Sequence, residues 1–96
     1  MTTRTKYKRG LEKDPNSVYV GRRFGPFKEN SKWANPFIIG KNGTREEVIA
    51  KYRTYLLANE ELISALPELR ETVLICWCKQ DELCHADVLI ELIEKL

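Results

Sequence analysis

Thr72-Val73-Leu74-Ile75-Cys76-Trp77 is an unbroken apolar run rich in β-branched side chains. That pattern predicts a strand buried on both faces, the central strand of a parallel sheet, with Trp77 in the core. After a short polar stretch from Lys79 to Leu83, the residues Val88, Leu89, Leu92, Ile93 and Leu96 recur at helical spacing. A final helix with one buried stripe is therefore expected. Upstream, Thr44-Arg45-Glu46-Glu47 has capping-box form, in which the threonine and the glutamate three residues on satisfy each other's free backbone donors. Val48, Ile49, Tyr52, Tyr55 and Leu56 then mark an amphipathic helix. Asn59 caps a shorter helix with Leu62, Ile63 and Leu66, which Pro67 ends or kinks.

Further upstream, Val18-Tyr19-Val20-Gly21 reads as the first strand, following the turn-forming Asp14-Pro15-Asn16-Ser17. Phe37-Ile38-Ile39 reads as a short additional strand before the turn Gly40 to Gly43. The segment from Phe24 to Pro36 has no periodicity, and a loop of that length in a small domain is often functional. Strands separated by helices give an α/β class, a small open, mainly parallel sheet with flanking helices.

With 96 residues there is material for one modest core, so a single α/β domain is expected over 1–96, with a basic, flexible N-terminal tail over 1–16. No apolar stretch is long enough to span a membrane, and Met1 to Lys6 lack the apolar centre of a signal peptide, which predicts a cytoplasmic protein. The cysteines number three, all late in the chain, which favours thiols or thiolate ligands over disulfides. The formal charge is only +2, yet it is segregated: up to Ala34 nine Lys/Arg face three acids. Nucleic acid is a candidate partner for this basic N-terminal third.

In open parallel sheets, ligands bind beyond the carboxyl ends of the strands. Cys76, Cys78, Cys84 and the single histidine, His85, all fall there. In an extended chain Cys76 and Cys78 project to one side, while Cys84 and His85 begin a helix whose free N–H groups favour an anion and a thiolate. Two chemistries remain open. Cys76, Cys78, Cys84 and His85 form the three-thiolate, one-imidazole set of a zinc site, although adjacent residues seldom both turn onto one metal. Alternatively Cys84 and His85, with Arg22, Arg23, Lys32, Trp33 and Asn35, enclose a phosphate-bearing molecule. Arginine forks suit phosphate and an indole suits a base.

Val18-Tyr19-Val20-Gly21-Arg22, Ser31 to Phe37, Leu69-Arg70, Cys76-Trp77-Cys78 and Cys84-His85-Ala86-Asp87-Val88-Leu89 together resemble the family called domain of unknown function 4326. The resemblance runs from Val18 to the C-terminus and leaves the basic tail outside; Trp33-Ala34-Asn35-Pro36-Phe37 is similar to the family's Trp-Gly-Asn-Pro-Phe. The resemblance implies a bacterial or phage origin and supplies no activity. The last motif is also similar to that of domain of unknown function 488, with Cys78 in place of a glutamate and Ala86 in place of an arginine. That similarity implies a Rossmann-like or SLOG-like sandwich that binds nucleotides. The leading expectation is a domain binding a nucleotide-like small molecule at the strand ends. The alternatives are a zinc-stabilised nucleic-acid- or protein-binding domain, and an enzyme acting on a nucleotide's glycosidic or phosphate bond.

Overall fold

The computed structural model describes residues 1–96 and contains, in chain order, β1 (Thr3–Lys6), β2 (Ser17–Tyr19), α1 (Arg45–Leu57), α2 (Glu60–Ala65), β3 (Val73–Cys76) and α3 (His85–Glu94). Short 3₁₀ turns occur at Leu11–Lys13 and Leu66–Leu69. The three strands form one parallel sheet in the order β1-β3-β2. The apolar run around Val73 is thus the central strand, with Leu74, Ile75 and Cys76 all buried. Thr44 and Glu47 make the capping box at the start of α1, and the Asn59 side chain caps α2.

The N-terminal segment is not a frayed tail. Thr3 to Lys6 pair with Val73 to Cys76, and the ladder continues as the Tyr7 N–H donates to the Cys76 carbonyl at 2.8 Å. The physical reason is that β3, paired on one side by β2, would otherwise leave its other row of backbone groups without partners. A polar Thr-Arg-Thr-Lys strand is well suited to such an edge, where charge discourages pairing with another chain. Phe37-Ile38-Ile39 is not a strand either. Asn42 folds it into a turn, its Oδ1 accepting from the Ile38 N–H at 2.8 Å and its own N–H donating to the Ile38 carbonyl at 2.7 Å.

Strand alternation separates two unlike faces. Val18, Val20, Leu74 and Cys76 share one core with Val48, Tyr52 and Leu56 of α1, Leu62 of α2, and Val88, Leu89 and Ile93 of α3. Ile75, equally buried, lies outside that cluster. Its side of the sheet carries aromatic rings instead: Tyr19 stacked on Phe27 at 3.6 Å, and Tyr7 at 5.1 Å from Trp77. Trp77 is 36% exposed, so it is not the core residue its apolar run suggests. Leu96, expected in the stripe of the last helix, is exposed beyond its end. No helix is long and apolar enough to cross a membrane.

Candidate functional site

A cleft of about 680 Å³ opens where the strands end, within the size range of ligand pockets. Gly21 and Arg22 after β2, Cys76 to Cys78 at the end of β3, and Val48 and Ile49 in the first turns of α1 form its walls. Phe24, Trp77, Ile38 and Ile39 supply exposed apolar surface, while His85 lies at the head of α3. The formally charged lining residues are Lys6, Arg22, Arg23 and Arg45, all of one sign. The Arg22 and Arg23 side chains make no ion pair.

Backbone geometry sets this rim. A Cβ at Gly21 would come within 2.6 Å of the Tyr19 hydroxyl, so a larger residue would push that ring out of its place. The Tyr19 hydroxyl accepts from the Trp77 Nε1–H at 2.7 Å and donates to the Arg22 carbonyl, tying the indole to the arginine-bearing turn. The Arg23 N–H is held by Asn30 Oδ1 at 2.7 Å. Arg22 and Arg23 are therefore presented from a fixed backbone.

Other expected ligand residues are committed elsewhere. Trp33 is 1% exposed and belongs to the core; its carbonyl accepts from the Tyr52 hydroxyl at 2.7 Å. Lys32 turns away to pair with Glu68 at 2.6 Å. Asn35 borders the cleft, but its Oδ1 accepts from the Phe37 N–H at 2.9 Å and its Nδ2 donates to the Val48 carbonyl at 3.3 Å. It shapes the wall by fastening the loop to α1. At the start of α3 the Cys84 N–H is already taken, Asp87 Oδ2 accepting from it at 3.0 Å.

Cys84 is wholly buried, which argues against its expected contact with a ligand and against a nucleophilic role. Its sulfur meets those of Cys76 and Cys78, all three lying within 4.8 Å of one another. Within this cluster the half-buried Cys78 lies against the Cys76 and Cys84 thiols and faces Arg45, whose Nη1 is 3.6 Å away; together these hold its thiol well below the ordinary range. Cys76 and Cys84 shift upward beside that sulfur, burial adding to the effect, and the Cys76 thiol donates to the Thr5 carbonyl at 3.7 Å. The helix-start thiol expected to ionise is thus the one held protonated. The anionic position belongs to Cys78, where a cation from another helix compensates it.

His85 touches the sulfur cluster at one point, its Nδ1 3.9 Å from the Cys84 sulfur, without joining the mutually close set. Burial lowers its pKa, so the ring is neutral, and its Nε2 lies 2.6 Å from the Val20 carbonyl, which places the proton there. Tyr52 packs edge-on against the ring at 5.1 Å. The expected four-member Cys76, Cys78, Cys84, His85 set is assembled only in its three thiols.

Two further arginines hold the loop between β3 and α3. Arg4, its side chain only 7% exposed, pairs with Asp87 at 2.8 Å and donates to the carbonyls of Lys79, Gln80 and Glu82. Arg45 donates to the Leu83 carbonyl at 3.0 Å and pairs with Glu82 at 3.2 Å. Neither was singled out as a site residue from sequence. Arg4 sits in a polar strand without hydrophobic alternation, and Arg45 reads as an ordinary first-turn residue.

No solved structure matches this chain. A protein of Acanthamoeba polyphaga mimivirus, "Uncharacterized protein R718", is 36% identical over 78% of the chain, which spans 65% of that relative. The family match extends from residue 3 to residue 95, so it takes in the N-terminal strand as well as the cysteine motif. This chain belongs to the family described as Domain of unknown function (DUF4326).

Proposed function

We propose that the strand-end cleft binds a nucleotide or a related phosphate-bearing small molecule. The observation that carries this reading is a lining with four basic side chains and no Asp or Glu, in which Arg22 and Arg23 are engaged in no ion pair and the one anionic position, Cys78, is faced by Arg45. Unpaired guanidinium groups offer planar forks suited to phosphate oxygens. Trp77 and Phe24, 5.1 Å apart at the same mouth, offer ring surface to a base. On this reading the sheet is Rossmann-like in placing its ligand beyond the carboxyl ends of parallel strands, with the ligand resting on side chains rather than on a glycine-rich turn.

The test is the melting temperature in millimolar nucleotide mixtures. A ligand at a hundred times its dissociation constant stabilises by about 2.7 kcal/mol, a rise of roughly 10 °C or more for a domain of this size. Arg22→Ala should abolish the rise while leaving the unliganded melting temperature unchanged. No shift with any nucleotide would remove the reading. A shift with single-stranded oligonucleotides alone, lost steeply with salt, would transfer it to nucleic acid held by the basic N-terminal third.

A further inference from the structure

We infer that Cys76, Cys78 and Cys84 form a three-thiolate site for a zinc-type cation whose fourth coordination position opens into the cleft. The sulfurs already lie within 4.8 Å of one another. A tetrahedral ion with bonds to sulfur of about 2.3 Å sets its ligands about 3.8 Å apart, so small side-chain rotations close the shell. The backbone supports this arrangement. Cys76 ends β3, Cys78 follows two residues on, and Cys84 enters from the head of α3, which Asp87 and Arg4 fasten in place. The ligands thus come from two elements with little freedom to move.

The electrostatics also suit a metal. Three thiolates around a divalent ion carry a net charge of −1. Two guanidinium groups stand beside the sulfurs, Arg45 Nη1 at 3.6 Å from Cys78 and Arg4 Nη1 at 3.9 Å from Cys76. Such outer partners orient the ligands and offset the excess charge. On loading, each ligating sulfur keeps its electron pair for the metal and any thiol proton passes to solvent.

Cys76 and Cys78 line the cleft, so an ion among the three sulfurs faces it on one side. His85 Nδ1 lies 3.9 Å from the Cys84 sulfur but not within 4.8 Å of all three, so closing that side would require the ring to move while its Nε2 is held 2.6 Å from the Val20 carbonyl. Three protein ligands with an exchangeable fourth position is the pattern of reactive zinc sites, whereas structural sites are closed by four. The fourth position takes water or a small anion from the cleft. This site rests on sulfur geometry and does not depend on the nucleotide reading.

The test is titration of the metal-free protein, kept reduced with a phosphine, with Co²⁺ followed by absorption spectroscopy and native mass spectrometry. One Co²⁺ per chain is expected, with thiolate-to-cobalt charge transfer in the near ultraviolet and visible bands of tetrahedral cobalt. Cys78→Ser, at the half-buried position, should weaken the charge-transfer band by about a third and binding at least tenfold. His85→Gln should keep both stoichiometry and band, and azide should shift the visible bands by entering the open position. No cobalt band at saturation, or a band untouched by Cys78→Ser in protein with native circular dichroism, would overturn the site. Loss of the band in folded His85→Gln, or no response to azide, would overturn the open fourth position. Nucleotide-induced stabilisation is measured separately on metal-free protein, so either idea can fail alone.

Discussion

Tyr52 illustrates how one buried polar atom is made to serve several parts of the molecule. Its hydroxyl donates to the Trp33 carbonyl, its ring packs on His85, and it is wholly buried in the core. Burial raises the pKa of this hydroxyl above its ordinary range. The unfolded chain releases the tyrosine proton near pH 10, while the folded chain retains it. The stabilisation is therefore complete below that value and is lost as pH rises above it. Urea unfolding between pH 8 and 11 should show stability falling steeply above pH 10, with a shallower fall in Tyr52→Phe. At pH 8 the same substitution should cost about 1–3 kcal/mol, since the Trp33 carbonyl loses its partner inside the core. An equal alkaline slope in both proteins would refute the assignment. At this scale the sequence was partly misleading. Two tryptophans were visible, but the one in the polar loop is the core residue and the one in the apolar run lies at the cleft mouth. Composition near a residue reports its local neighbours, and the exchange was decided by contacts far away in sequence.

Among the elements, the best-read were those with local physical causes. The Thr44 capping box, the Asn59 cap and the β-branched run of β3 all lie where their sequence patterns place them. The strand β1 escaped notice because its reason for existing is the open edge of β3, about seventy residues later in the chain. Its register also determines where Arg4 goes: opposite Leu74, on the helix side of the sheet. From there the guanidinium reaches Asp87 and three carbonyls of the loop before α3. Arg4→Met keeps the stem and removes those bonds, leaving Asp87 and the carbonyls without it. It should destabilise the protein by about 3 kcal/mol and speed amide hydrogen exchange at Lys79 and Glu82 more than in α1. Exchange unchanged in that loop would mean the arginine does not hold it. The candidate site was legible in the same uneven way. The sequence grouped the three cysteines and marked Arg22 and Arg23, whereas Lys6 and Arg45 reach the cleft only through sheet register and helix placement.

For the whole molecule, the sheet is organised so that everything waits for its middle. β1 and β2 each pair only with β3, and they do not touch each other in the ladder. Every strand pairing is thus non-local, a topology that slows folding relative to a helical protein of similar size. A fragment ending at Thr72 should form no sheet at all: the Tyr7 and Val20 amides, which donate to Cys76 and Ile75 in the full chain, should exchange at unprotected rates, even if α1 is partly helical. Protection of those amides in the fragment would show a pairing that the native order does not contain. The same order bears on biosynthesis. A ribosome that pauses anywhere between Tyr19 and Val73 displays two strands with no partner, one of them flanked by the aromatic residues Tyr19, Phe24 and Phe27. Until synthesis passes Cys76, both strands lack the edge they pair with, and unpaired edges of that kind are where neighbouring nascent chains on a polysome can meet.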